Sequence, residues 1–421
     1  MSASDAGGMV AAYEIETYLE PERAAEVLAG EQSAGTFTKV ALETDELKRE
    51  HGATVVSIHE LEPSDRPPLP GSWRPDGRPA VPRRARVEIA FPVQNFGTSL
   101  PALLTTVAGN LFELRELAAV RLLDFEVPEA LGAAYAGPQF GVDGTRRLMG
   151  DPAGVLVGMI IKPSVGLGLD ELRGVVRDLA GARIDFIKDD ELLADPPYAP
   201  LAERVPVVME EIDRAVEHTG RKTMYAFNLT GDLDDMLRHH DLVAEAGGTC
   251  VMVAVPVVGL GALEFLRRRS SLPIHGHRAL FGALSRSPQL GIDFTAYQKA
   301  ARLAGADHLH VGGVDSKFYE ANDSVFASIG AVGTPLPGTA PALPVLSSAQ
   351  WAGTAPATWA GAGTTDLLVL SGGGIHGHPG GTFAGVESMR EAWQVAAAGE
   401  PLESRAARSP ALREALEAFG R

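Results

Sequence analysis

Cysteine is almost absent. The 421-residue chain has one, Cys250, so no intrachain disulfide can form and nothing demands an oxidising compartment. Positive charge is scarce: 37 Lys+Arg stand against 54 Asp+Glu, a net charge of −17. Neutralising the phosphates of a nucleic acid or an anionic membrane needs a cationic field, so no nucleic-acid and no membrane partner is expected. Long apolar runs are missing too. The most apolar stretch, 250–263, is broken by Pro256, Gly259 and Gly261 and is too short to span a bilayer. The amino terminus lacks a basic segment followed by an apolar core, the pattern of a secretory signal. The expectation is a soluble, cytoplasmic protein.

What is present suffices for folded domains. Apolar residues make up 45% and charged residues 22%, which excludes global disorder. The length suits two domains, or one large barrel with an appendage. In the first 150 residues, 13–18, 55–61 and 85–91 read as strands, and 20–30 and 100–114 as helices. Segment 63–82, rich in proline and arginine, reads as a surface loop. The pattern predicts an α+β layer, with the turn-rich stretch 137–154 at its border. We therefore expect an N-terminal domain over 1–138 and a C-terminal domain over 139–421.

Beyond that border the rhythm changes. Eight strand-like apolar runs end at Pro163, Glu191, Gly231, Gly259, Leu280, Gly313, Ala349 and Gly374. Helical spacing fills most gaps, at 169–180, 202–217, 234–246, 262–269, 294–304 and 386–398, with a weaker pattern at 351–360. Eight such units over about 250 residues match a (β/α)8 TIM barrel. A doubly wound open sheet competes, but its glycine fingerprint is missing: Gly259-Leu260-Gly261 lacks the third glycine.

Polar residues gather at the ends of these runs, the rim where barrel enzymes place their sites. Strand one ends in Lys162 and strand two in Lys188-Asp189-Asp190-Glu191. Strand five carries His275, His277 and Arg278, and strand six His308 and His310, with Lys317 beyond. Strands seven and eight end in Ser347-Ser348 and in Ser371-Gly372-Gly373-Gly374. Singly, each has an ordinary explanation: a solvated rim lysine, a hydrogen-bonded core histidine pair, acids at a helix N-terminus, a flexible turn. Together they converge on one place. The acidic run suits a hard divalent ion such as Mg²⁺, and alternation puts Lys188 and Asp190 on one face. A lysine beside metal-binding acids is electrostatically odd unless it is paired or modified; carbamylation by CO₂ would turn it into an oxygen ligand. Glycines 372–374 could cradle a phosphate, and Arg278 with His310 could hold a second anion. A dication between anion grips suits a phosphorylated, enolisable sugar derivative.

Five strings, GMIIKPSVGL, DFIKDDE, HGHRALFG, DHLHVGGVDSK and GGGIHGHPGG, occur in this order and resemble the RuBisCO large-subunit superfamily. The similarity extends to EQSAGTFT (31–38) and to the region around Asn110. The resemblance implies a ferredoxin-like α+β domain ahead of the barrel, and a homodimer or assembly of dimers whose sites are shared between subunits. Glu31, Thr36 and Asn110 would then act on the partner's substrate. It further implies Mg²⁺ held by carbamylated Lys188, Asp190 and Glu191. Lys162 would handle enolisation protons, with His277 and the mobile-loop Lys317 as further catalytic groups. Arg278, His310, Ser347, Gly372 and Gly373 would contact substrate and phosphate.

Departures from the carboxylases are specific. They read Lys-Pro-Lys after strand one where this chain has Lys162-Pro163-Ser164, and Ser-Gly-Gly where it has Ser347-Ser348-Ala349. Phe37 stands where a tryptophan is usual. The chain therefore resembles the non-carbon-fixing RuBisCO-like branch. That implies a magnesium-dependent lyase or isomerase forming an enediolate, with decarboxylation of 3-oxo-isoapionate 4-phosphate as the leading expectation. The alternatives are the diketo-methylthiopentyl-phosphate enolase or methylthioribulose-phosphate isomerase of methionine salvage, and a silent sugar-phosphate binder. Segment 65–88 and the tail 399–421 read as solvated surface.

Overall fold

The computed structural model describes residues 8–35, 40–78 and 80–420. Its strands are β1 (Gly8–Thr17), β2 (Thr54–Leu61), β3 (Arg83–Pro92), β4 (Leu117–Phe125), β5 (Leu156–Ile160), β6 (Phe186–Lys188), β7 (Met224–Asn228), β8 (Cys250–Ala254), β9 (Ile274–His277), β10 (Leu290–Ile292), β11 (His308–Gly312), β12 (Leu343–Leu346) and β13 (Leu368–Ser371). They form a five-stranded sheet and a closed eight-stranded barrel. The chain divides into two compact units: 1–135 with 280–303 and 336–339, and the remainder. Among the described residues no helix is long and apolar enough to cross a membrane.

In the first unit the sheet runs β10-β4-β1-β3-β2. The pairs β1/β3, β1/β4 and β2/β3 are antiparallel, with the helices Pro21–Glu31 and Leu100–Ala108 between strands, which is the expected ferredoxin-like arrangement. β1 is central, and Met9, Ala11, Tyr13 and Ile15 are buried along it. The Tyr13 hydroxyl escapes isolation by donating to the Val107 carbonyl at 2.8 Å. β10 adds in parallel to β4. The helix expected over 100–114 stops at Ala108, where Gly109 leaves helical geometry, and a 3-10 turn, Asn110–Glu113, follows. The helix Asp45–His51 escaped the sequence pattern because it has no apolar stripe; a Thr44 hydroxyl caps it.

In the second unit the strand order is β11-β12-β13-β5-β6-β7-β8-β9, all parallel. These are the eight runs expected of a TIM barrel. Leu156, Phe186, Met224, Met252, Leu343, Val345 and Leu368 fill its interior, packed with Val142 and Met149. Each strand is three to five residues long, so the apolar interior gives way abruptly to the polar rim. The helix Asn322–Gly333 was not legible because its glycines and short polar start blur the stripe.

Outside the barrel, buried Glu211 on the helix Leu201–Thr219 accepts from Arg177 and Arg173 of the neighbouring helix Leu169–Gly181, and from Arg214. The Arg177 hydrogen bonds hold the carboxyl below its usual range. A lowered carboxyl stabilises the fold above its unfolded pKa, and that contribution disappears as pH falls through the folded value. Glu211→Gln should therefore lose about 1 kcal/mol in denaturant unfolding at pH 7, and the gap to the parent should close below about pH 4.

Candidate active site

The rim is built from strand ends. β6 delivers Lys188 fully buried, with Nζ 2.7 Å from the Asp189 carbonyl and 3.6 Å from Glu191. Burial holds its amine below the ordinary lysine range, against the pull of Glu191 and Asp190. Asp190 is buried and pairs with Lys162 Nζ at 2.7 Å; its other oxygen accepts from Leu192 N–H. The Lys162 ammonium also donates to Ser164 at 2.7 Å, so the serine that replaces the second lysine of the carboxylase pattern steadies the first. Glu191 lies 3.5 Å from His277 Nε2. His277 Nδ1 accepts from Ala279 N–H, so its remaining proton sits on Nε2 and faces Glu191.

Asp189 does something else. Alternation turns it away from Lys188 and Asp190, where it accepts from Tyr225, the Asn228 N–H and buried Arg204. The Asn228 amide in turn donates to the Asp190 and Glu191 carbonyls at 3.1 and 3.2 Å, fixing the backbone that carries both acids. Asn228 was missed as a supporting residue, although a polar residue closing the apolar run MYAFN was visible.

Among the described residues, no group of three or more His, Cys, Asp or Glu side chains is placed to hold a metal ion. Asp190 and Glu191 supply two oxygen donors, and an amine stands where a third would be. The donor set fits a hard cation once CO₂ has added to Lys188, because the carbamate replaces a repelling ammonium with an oxygen ligand.

The rest of the rim is uneven. Arg278 makes a two-pronged ion pair with Glu320, a partner 42 residues on that no local pattern signals. His310 is buried and uses both ring nitrogens, Nε2 toward His275 at 2.8 Å and Nδ1 toward Ser347 at 3.0 Å. Its ring stands edge-on to His277, centroids 4.3 Å apart. Ser348 and Ala349 follow Ser347 in left-handed backbone, φ +75° and +52°, where Cβ-free glycine is the easier residue. Gly372 lies against Lys162: a Cβ there would sit 3.5 Å from the lysine Cγ and Cε. Gly373 opens the short helix Gly373–His376 beyond it. His378 caps backbone, meeting the Ala411 carbonyl and Gly380 N–H. Lys317 is exposed on the loop after β11, its ammonium 5.7 Å from the Phe318 ring. In the other unit Asn110 donates to Glu31 at 3.5 Å; Thr36 and Phe37 lie outside the described residues.

Comparison with known proteins agrees with this geometry. Residues 141–419 match the ribulose bisphosphate carboxylase large chain, catalytic domain, and residues 3–131 its N-terminal domain. A 3-oxo-isoapionate-4-phosphate transcarboxylase/hydrolase from Xanthobacter autotrophicus is 51% identical over 96% of this chain and 98% of its own. A 3-oxo-isoapionate-4-phosphate decarboxylase from Rhizobium etli is 44% identical over 97% of each. The crystal structure of a rubisco-like protein from Burkholderia fungorum superposes with a TM-score of 0.91 at 45% identity, covering 98% of this chain and 99% of that one. With an eight-stranded barrel, an α+β sheet and both family domains matched along nearly its full length, the chain belongs to the ribulose bisphosphate carboxylase large-chain family.

Proposed function

We propose that this chain decarboxylates 3-oxo-isoapionate 4-phosphate or a close 3-oxo sugar-acid phosphate, and does not fix carbon on ribulose bisphosphate. The observation that carries this reading is the Lys162–Asp190 pair at 2.7 Å, which sets a proton-bearing group against one of the acids that would hold the metal. Asp190, Glu191 and the carbamate of Lys188 would hold Mg²⁺, which when bound draws electron density from the substrate ketone. In a 3-oxo acid the carboxylate and the ketone flank one carbon, so the bond to the carboxyl carbon breaks as CO₂ leaves. Its electron pair passes onto the enediolate, and a proton from Lys162 Nζ closes the carbon left behind. His277, neutral because burial disfavours its cation, orients Glu191 through Nε2–H. Gly372 and Gly373, beside Lys162, would take the phosphate, with Lys317 closing over it. A second copy of the chain would bring Glu31, Thr36 and Asn110 to the site.

The 51% identical relative favours a second reading, in which the carboxyl group moves to another carbon and the product is cleaved by water. Substrate labelled with ¹³C in the carboxyl group separates the two. Labelled CO₂ in the headspace supports decarboxylation; label retained in a carboxylate product supports transfer and hydrolysis. Turnover of a diketo-methylthiopentyl phosphate in place of either would overturn both. Lys162→Met should lower kcat by about 10²–10³-fold. It should leave Mg²⁺ binding in calorimetry within a few fold, and abolish solvent-deuterium incorporation at the carbon that lost CO₂.

A further inference from the structure

We infer that the corner of the site formed by Ser347, His310 and Arg278 receives an uncharged, hydroxyl-bearing end of the substrate and rejects a second phosphate, making the chain selective for monophosphates. The inference rests on the proposed function for the chemistry at the centre of the site, and on two independent observations for the corner.

The first is a chain of hydrogen bonds whose direction is fixed at its far end. The Gly141 carbonyl can only accept, so at 2.5 Å the Thr145 hydroxyl hydrogen is committed to it. Thr145 Oγ1 therefore accepts from His308 Nε2, 2.8 Å away. His308 Nδ1 is then bare and accepts from His275 Nδ1 at 3.3 Å. His275 Nε2 is left bare and accepts from His310 Nε2 at 2.8 Å. His310 Nδ1, bare in its turn, accepts from the Ser347 hydroxyl at 3.0 Å. Burial keeps the three imidazoles neutral, with His308 pushed down to about 3 and the other two well below their usual range. Neutrality matters, because a proton gained by any ring would leave His310 Nδ1 as a donor to Ser347 and free the hydroxyl hydrogen for the site. The Ser347 backbone N–H is also committed, to the Gly312 carbonyl at 2.8 Å. Ser347 thus offers the site acceptor lone pairs alone. A phosphate dianion offers acceptors too and finds no hydrogen there; a substrate hydroxyl can donate.

The second observation is Glu320. Its carboxylate grips the Arg278 guanidinium on both nitrogens, and the pair is largely buried. It lies flat against Gly312, where a Cβ would come within 2.9 Å of Arg278 and 3.1 Å of Glu320. A phosphate arriving at Arg278 would meet a carboxylate already seated on the fork it needs, and like charges brought together at a largely buried pair discriminate against it. Thr145, His308 and His275 act here as positioning residues, and Glu320 as a specificity determinant.

Calorimetry with xylitol 1-phosphate and xylitol 1,5-bisphosphate, in Mg²⁺ and bicarbonate, tests the corner. The parent should bind the monophosphate at least about tenfold tighter. Glu320→Gln should erase that preference by strengthening the bisphosphate, and Ser347→Ala should weaken the monophosphate by about tenfold. Equal or tighter binding of the bisphosphate by the parent overturns the inference. The ¹⁵N spectrum of the histidines decides even if neither pentitol binds. His275 should carry its proton on Nδ1 and His308 and His310 on Nε2, and Thr145→Val should scramble these tautomers without unfolding the barrel. The opposite tautomers in the parent would make Ser347 a donor and overturn the inference. Both readouts are blind to CO₂ release, so a decarboxylase that prefers bisphosphates sinks this inference alone. A monophosphate-selective protein that releases no CO₂ sinks the functional reading alone.

Discussion

Lys188→Met is expected to reduce turnover by at least about 10³-fold and to abolish Mg²⁺ binding, while the fold survives. The size follows from what is removed. Without a nitrogen to take up CO₂, Asp190 and Glu191 are two donors facing a thioether, too few for a hard cation. A loss of about 4 kcal/mol in transition-state stabilisation corresponds to that factor. The fold survives because the Lys188 amine is destabilising where it sits: burial lowers its pKa, so below the unfolded lysine value the folded state is penalised for carrying that charge. Methionine removes the penalty, and the melting temperature should hold or rise. In the parent, ¹³CO₂ should give a carbamate resonance that the variant lacks. Activity gained on pre-incubation with CO₂ should rise with pH, because the neutral amine is the form that reacts and adding CO₂ releases a proton. Full activity in the variant would remove the metal-centred account of the site.

Arg204→Met should be the most destabilising single change near the site, by about 3–5 kcal/mol in chemical denaturation. Arg204 and Asp189 are both fully buried and meet at 3.1 Å. Arg204 also donates to the Ala194, Leu193 and Ala199 carbonyls, tying the loop after β6 to the helix Leu201–Thr219. Removing the guanidinium leaves the Asp189 carboxylate with Tyr225 and the Asn228 N–H but no countercharge. It also leaves three carbonyls without this donor. The paired change Asp189→Leu with Arg204→Met should recover part of the loss, since an uncompensated buried charge costs more than an apolar pair. If Arg204→Met alone is as stable as the parent, the buried pair does not hold the loop after β6 in place.

The contrast between Asp189 and Asp190 shows what the sequence made legible. Period-two alternation separates them: Asp190 shares the face of Lys188, and Asp189 takes the other. The barrel was legible from the count of eight apolar runs with helical spacing between most of them, and six of the eight end in polar groups. β10 was not, because three residues are too few to show alternation. Helix 45–51 has no buried residue to create a period. The histidine chain and the Arg278–Glu320 pair were hidden for a different reason. The imidazoles and the Arg278–Glu320 partners lie 33 to 42 residues apart and Thr145 lies 163 from His308, and the pairing of β9 with β11 is what sets the imidazoles side by side.

The place of β10 has a practical consequence. Residues 280–303 cluster with the N-terminal sheet although more than 140 residues separate them from the end of the stretch 1–135. A gene cut near position 138 would therefore leave the amino-terminal fragment one strand short, with the edge of β4 bare where Leu290–Ile292 normally pairs. Such an edge is a template for self-association. The carboxyl-terminal fragment would keep an orphan segment with no sheet to join. Recombinant dissection of this protein calls for grafting 280–303 back onto the smaller piece by a designed linker, not for a single truncation.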